Sequence, residues 1–315
     1  MATPAPGPST PIDPDRLRAD LAARVPEASA DPSRIRVVRA PGRVNLIGEH
    51  TDYNDGLVMP AAIDLEIRIA YVPADDERVE VTQAETGETG SFALDAIGAP
   101  RGSWIDYVAG TAWAMAEAGA PVRGFRGVLA STLPRGAGLS SSAALELASA
   151  WALSGDGPPA LDGMTLARTA QRAENQYVGV QCGLMDQFAA ALGVDGAALR
   201  LDCRSLDWRS VALPLDELAL VVCHSGSPHR LEASEYNQRR AECDAAVAAI
   251  SRHEPAVRAL RDVDLSMLER YRDELDPVAY RRALHVVEEN ARVEATQAAI
   301  AANDLAEVGR LFAAS

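Results

Sequence analysis

In Gly42-Arg43-Val44-Asn45-Leu46-Ile47-Gly48-Glu49-His50-Thr51-Asp52-Tyr53-Asn54-Asp55-Gly56-Leu57-Val58-Met59 an apolar, strand-like start breaks at Gly48 into six consecutive side chains able to hydrogen-bond, Glu49 to Asn54. Framed by Gly48 and Gly56, this turn presents donors and acceptors side by side. A ligand dense in neutral hydroxyls needs both against each hydroxyl. A solvated turn is the plainer reading, and for most polar turns it is the right one.

Working outward, the next informative stretch is Pro134-Arg135-Gly136-Ala137-Gly138-Leu139-Ser140-Ser141-Ser142-Ala143-Ala144. An apolar run, Phe125 to Leu133, precedes it with strand character, and a helix-forming run continues to about Leu153. A strand, a glycine loop and serines at a helix start present free backbone N–H groups to an anion. An ordinary serine-capped loop is the alternative. The chain contains no lysine: all thirty basic residues are arginine. A Walker-type loop needs a lysine after its last glycine, so phosphate here must be held by backbone amides, serine hydroxyls and metal.

Order and spacing together make the first stretch resemble the sugar-binding signature of galactokinases, and the second resembles the phosphate motif of the GHMP kinase superfamily. Three further runs are similar to galactokinase segments: Ala173 to Phe188, Ser234 to Cys243 and His285 to Arg292. The resemblance implies an α+β fold of two lobes, the first a mixed sheet plus helices, the second helix-rich and ferredoxin-like. It implies an ATP-dependent kinase acting on the anomeric hydroxyl of α-D-galactose to give galactose 1-phosphate, with Mg²⁺. On this resemblance Asp186 is the catalytic base and Arg43 its cationic neighbour. Glu49, His50, Thr51, Asp52, Gly183 and Tyr236 contact the sugar. Gly136, Ala137, Gly138, Leu139, Ser140, Ser141 and Ser142 hold the ATP phosphates, and Ser142 with Glu174 holds the metal. Read without the resemblance, Glu174 is a solvated helix residue and Asp186 a charge at a positive helix end. Two other readings stand beside this one: a GHMP kinase for another sugar such as N-acetylgalactosamine or arabinose, and a non-catalytic regulator binding galactose and ATP.

Length and charge bound the rest. The chain has 315 residues, enough for two modest domains, and a formal net charge of −15. That excludes nucleic acid and anionic membranes as expected partners. Cys182, Cys203, Cys223 and Cys243 stand singly without a C-x-x-C, and no apolar stretch reaches membrane-spanning length. A cytoplasmic monomer with reduced thiols is expected. Residues 1–14 read as a disordered tail, 15–202 as the N-terminal lobe holding sugar and ATP phosphates, and 203–315 as the C-terminal lobe. The third glycine-rich motif of galactokinases does not occur, so that second lobe is expected to be incomplete. Strands are expected at 35–38, 57–72, 79–82, 125–133, 197–201 and 218–223. Helices are expected at 104–117, 166–180, 184–192, 232–250, 266–271, 280–301 and from 305 onward. Leu65-Glu66-Ile67-Arg68-Ile69 alternates as a sheet with one wet face does.

Overall fold

The structure, a computed structural model, describes residues 11–134, 136–223 and 232–315, with the side chains of 232–235 excepted. Arg135 of the glycine loop and residues 1–10 of the expected tail lie outside the described residues. Two compact units emerge. One comprises residues 1–42 and 63–178, the other residues 43–62 and 179–315. The expected break near residue 203 is therefore displaced to Gly179, and the polar turn at 48–56 belongs to the second unit. The cause is strand pairing: Leu57 and Val58 pair with Leu201 and Asp202, inside that second unit.

The first unit opens with helices α1 (Pro14–Arg24) and α2 (Pro26–Ala30). Asp13 caps α1 through its side chain, and Pro14 sits in the first turn, where a missing N–H costs nothing. A five-stranded sheet follows in the order β1-β3-β6-β4-β5, from β1 (Arg36–Asn45), β3 (Pro60–Pro73), β4 (Arg78–Gln83), β5 (Thr89–Ala93) and β6 (Phe125–Ser131). Central β6 runs antiparallel to β3 and parallel to β4, so the sheet is mixed. Leu17 and Leu21 of α1 join Ala70, Val72 and Val128 in one core. The alternate residues Ile69 and Tyr71 are buried as well, and the Tyr71 hydroxyl donates to the Gly155 carbonyl at 2.6 Å. Both faces of β3 are therefore covered. The expected wet face is corrected at Glu66, which is buried and paired with Arg39 at 3.0 Å and with Arg68.

Helices α3 (Ile105–Glu117), α4 (Ser141–Leu153) and α5 (Gly163–Arg172) pack on one another. The expected helix 166–180 does not run through. It widens into a π-helical turn, Ala173–Val178, packed against α3. Such widened turns recur at functional positions.

In the second unit β2 (Leu57–Val58), β7 (Ala197–Asp202) and β8 (Trp208–Ala212) form an antiparallel sheet. Helices α6 (Met185–Leu192), α7 (Glu232–Ser251), α8 (Leu265–Arg270), α9 (Pro277–Ala301) and α10 (Leu305–Ala314) make up the rest. Residues 218–223, expected as a strand, are not one. Leu218, Leu220, Val221 and Val222 are exposed and no strand pairs with them among the described residues, so apolar content alone does not make a ladder there. The long helix α9 serves two cores in succession. Ala279, Ala283 and Val286 pack with Ile250, Leu260 and Leu268; Val293 and Ala299 pack with Ile47, Leu57 and Leu311. No helix among the described residues is long and apolar enough to cross a membrane.

Phe125 lies fully buried at the start of the central strand and meets Tyr71 edge-on with ring centres 5.7 Å apart. Phe125→Ala is expected to cost ~3–5 kcal/mol, as aromatic truncation in a packed core does. Urea denaturation followed by circular dichroism checks this; a loss below ~1 kcal/mol would show that the sheet interior is loosely packed.

Candidate active site

Between β1 and β2 the backbone turns through left-handed φ at Gly48 (98°), His50 (63°) and Asp55 (58°). Only Gly48 does so without cost, because it has no Cβ; a Cβ there would lie 2.5 Å from the Leu57 carbonyl oxygen. Thr51 ties the bend internally. Fully buried, its Oγ1 lies 2.8 Å from the Gly48 carbonyl and 2.6 Å from that of Leu57, the two sharing its one proton. Expected as a sugar contact, Thr51 is instead consumed in closing the elbow.

Side chains of α9 hold the same bend from outside. Glu289, fully buried, accepts from the Gly48 N–H at 2.8 Å and the Glu49 N–H at 3.2 Å. Arg292 Nε at 2.6 Å and the Ser315 hydroxyl at 2.6 Å complete its shell. Burial alone would push this carboxyl up, but the bonds from Ser315, Gly48, Arg292 and Glu49 outweigh it and hold Glu289 below the ordinary range. Asn290 Oδ1 accepts from the Leu57 N–H at 2.8 Å, and His285 Nε2 lies 3.0 Å from the Glu49 carbonyl oxygen. Sequence reasoning gave these three no role. The signal was present nonetheless: Glu289 falls on the 3-4 spacing Val286, Glu289, Val293, so a carboxylate occupies a core-facing helical position.

Most of the other sugar candidates converge. Asp52 opens a one-turn 3₁₀ helix (Asp52–Asn54) and accepts from the Tyr53 N–H at 3.0 Å. The Tyr236 hydroxyl lies 3.5 Å from Asp52 Oδ1 and 3.4 Å from the Gly183 nitrogen, placing it between the two. Gly183 has to be glycine, since a Cβ would sit 1.9 Å from Asp52 Oδ2. His50 pairs its Nδ1 with the Tyr53 hydroxyl at 3.0 Å, and its ring lies 6.1 Å from that of Tyr236. Burial lowers the His50 pKa, and the charges of His285 and Arg239 lower it further, so the ring is neutral near pH 7. Glu49 is exposed, and its Oε1 accepts from Asn45 Nδ2 at 2.9 Å. Asn45 is a further contact that sequence reasoning missed.

Arg43, at the end of β1, meets Asp186 in the first turn of α6. Its Nε and a terminal nitrogen lie 2.8 and 2.6 Å from the same oxygen, Oδ1. Burial opposes the Arg43 charge, yet Asp186, Glu49 and Asp52 together hold its pKa up. Asp52 carries the opposite consequence. Burial first, then the charge of Asp186, raise its carboxyl from an ordinary 3.8 to about 7. Near neutrality Asp52 is thus divided between a donor and an acceptor form, which suits a hydroxyl ligand.

In the first unit, Gly136 (φ 65°), Gly138 (φ 69°) and Ser140 (φ 57°) all take left-handed backbone before α4 begins at Ser141. The Ser140 side chain does not cap the helix. The first-turn N–H groups of a helix lack intrahelical partners and point outward. Leu139 is buried, so only its backbone can serve a ligand, whereas Ala137, Ser141 and Ser142 are half-buried. Glu174 lies in the π-helical turn and is buried, which corrects the solvated-face alternative. Among the described residues no cluster of three or more His, Cys, Asp or Glu side chains forms a metal cage.

The Asp52 shift has a sign that can be tested. A carboxyl whose folded pKa exceeds its unfolded one stabilises fully below about pH 4, and that contribution is lost as pH rises to about 7. Asp52→Asn keeps the acceptor and removes the titration. Between those limits the unmutated chain is expected to lose up to roughly 4 kcal/mol relative to the variant, at 1.36 kcal/mol per unit. Urea titrations of both proteins across this range check it; parallel stability profiles would refute it.

Comparison with known proteins identifies the family. A family model described as the galactokinase galactose-binding signature matches residues 27–73, and one for the GHMP kinases N-terminal domain matches residues 106–194. The galactokinase of Roseiflexus sp. (strain RS-1) is 48% identical over 276 residues, covering 88% of this chain and 70% of that protein. The galactokinase of Chloroflexus aurantiacus is 46% identical over 281 residues, covering 89% and 72%. The crystal structure of Lactococcus lactis galactokinase complexed with galactose superposes with a TM-score of 0.85 at 31% identity, covering 93% of this chain and 76% of that one. By sequence and by fold alike, this chain belongs to the galactokinase family of the GHMP kinases.

Proposed function

We propose that this chain transfers the γ-phosphoryl group of ATP to the anomeric hydroxyl of α-D-galactose, releasing galactose 1-phosphate and ADP. The observation that carries the reading is the arrangement in the second unit. A carboxylate fixed by two nitrogens of one arginine belongs to the same unit as a pocket in which Asp52, Gly183 and Tyr236 touch one another.

The roles follow from the chemistry. Asp186 accepts the proton of the anomeric hydroxyl as its oxygen bonds to the γ-phosphorus and the bond to the β–γ bridging oxygen breaks, that oxygen leaving with ADP. Arg43 orients Asp186 through both nitrogens and offsets charge on the transferring group. Glu49, His50, Asp52, Gly183 and Tyr236 bind sugar hydroxyls. In the first unit the backbone from Gly136 to Ser142 cradles the triphosphate at the start of α4.

The donors present fit Mg²⁺. A hydroxyl on Ser142 and a buried carboxylate on Glu174 are hard oxygen ligands, and Mg²⁺ takes one or two of these alongside phosphate oxygens rather than a full protein cage. When bound, the ion neutralises charge building on the β- and γ-phosphates. We place the protein in the cytoplasm as a monomer, a reading supported by four cysteines of which none is in a disulfide.

Galactose-dependent release of ADP from ATP tests the reading directly, with N-acetylgalactosamine and arabinose as competing substrates. Turnover on either of these above that on galactose would overturn the assigned sugar. Asp186→Ala is expected to lower kcat by ~10²–10⁴-fold while galactose affinity stays within a few-fold. Loss of affinity with normal turnover at saturation would remove Asp186 from the chemistry. Ser142→Ala and Glu174→Ala are expected to raise the Mg²⁺ concentration needed for half-maximal rate by about ten-fold. An unchanged Mg²⁺ requirement would take both residues out of the metal site.

A further inference from the structure

The middle of α9 presents three polar side chains to one short stretch of backbone. His285 Nε2 lies 3.0 Å from the Glu49 carbonyl, and Glu289 Oε1 accepts from the Gly48 and Glu49 N–H groups. Asn290 Oδ1 accepts from Leu57 N–H at 2.8 Å. The peptide groups on either side of the Glu49 α-carbon are thus gripped by α9, while Asn45 holds its carboxylate. The far end of the bend is pinned as well: a Cβ on Gly56 would come within 2.5 Å of Asn290 Oδ1.

The geometry points to His285, Glu289 and Asn290 as positioning residues for galactose, a template on α9 that sets the direction of the Glu49 and His50 side chains. The assignment rests on the function proposed above. Three features carry it. First, the bend contains two non-glycine residues, His50 and Asp55, in left-handed backbone, a state that persists only where surroundings over-determine it. Second, Glu289 is fully buried, so its carboxylate acts on the elbow's backbone and not by contact with a ligand. Third, Glu289 and Asn290 sit between the two apolar cores that anchor α9 on either side, and His285 lies within the span of the first, which makes all three a fixed reference. Sites held loosely by an ångström lose binding and rate steeply, and rigid elements supply that precision.

The test is calorimetric titration of galactose, and separately of ATP with Mg²⁺, into the full chain and into His285→Ala, Asn290→Ala, Asn290→Asp and Glu289→Gln. Galactose affinity is expected to fall roughly ten-fold in the two alanine variants and in Glu289→Gln, with ATP affinity unchanged. Asn290→Asp keeps the acceptor for the Leu57 N–H and is expected to recover galactose affinity to within about two-fold. His285 and Asn290 are only half-buried, so their variants report even if Glu289→Gln fails to fold. Galactose affinity unchanged in both alanine variants would overturn the assignment, as would a parallel loss of galactose and ATP binding in all variants. Should the unmutated chain itself fail to bind galactose, the functional reading falls and this assignment with it; that outcome is distinct from binding that survives every substitution.

Discussion

A bend made almost wholly of polar residues cannot be held by apolar packing alone, and that constraint governs the second unit. Left-handed backbone at His50 and Asp55 costs on the order of 1 kcal/mol or more apiece, and the buried polar side chains of Thr51, Asp52 and Asn54 add their own need for partners. Repayment comes from hydrogen bonds placed underneath: Thr51 to two carbonyls within the bend, and Glu289 and Asn290 to its N–H groups from α9. A neutral buried acceptor would serve the N–H groups less well than a carboxylate, because charge-assisted bonds are about twice as strong. The carboxylate in turn is tolerable only because four donors surround it, which a fully buried charge requires. The length of α9 follows: it must reach from one apolar core to the other with this polar patch between them.

What the sequence revealed, and what it hid, divides along the same line. Candidates that lie in one compact run, Glu49 to Asp52 and Gly136 to Ser142, are legible because their pattern is local. Residues that act on backbone far away are not. Glu289 serves Gly48 across 241 positions, and only its place on a core-facing spacing marks it. Adjacency in the sequence does not show that the Thr51 hydroxyl is spent on the carbonyls of Gly48 and Leu57. The missed strand β8, and the strand expected at 218–223 but not formed, fail for one reason: β structure is decided by pairing partners. Trp208–Ala212 has β7, and its apolar neighbours downstream have none among the described residues. Helix α1 was obscured by the proline-rich stretch before it, yet Asp13-Pro14 is a helix start by both capping and φ preference. The π-helical turn at Ala173–Val178 could not be read from spacing, since it departs from the 3.6 period that such readings assume.

Phosphate binding without lysine is less of a handicap than the composition first suggests. A lysine supplies a mobile point charge, whereas a helix start supplies N–H groups fixed by the fold. Three left-handed residues in five, Gly136 to Ser140, turn the chain into α4 in the manner of a loop whose amides converge. On the function proposed, the loop of the first unit would hold phosphate with backbone amides and metal in place of a lysine.

The charge balance in the second unit matters for the sugar. Around Arg43 stand Asp186, Glu49 and Asp52, three carboxylates against one guanidinium. Such an excess of negative charge is tolerated unevenly. Asp186 has both arginine nitrogens and Glu49 is exposed to water, so the burden falls on Asp52, buried and close to Asp186, whose pKa climbs to about 7. A neutral polyol adds no charge to this balance and offers hydroxyls that match a carboxyl poised between donor and acceptor. An anionic ligand in the same place would add to the excess, at a cost that rises as the site is desolvated. On the function proposed, the site would therefore favour a neutral ligand before it reads the pattern of hydroxyls. This order of selection follows from having one arginine where three acids meet.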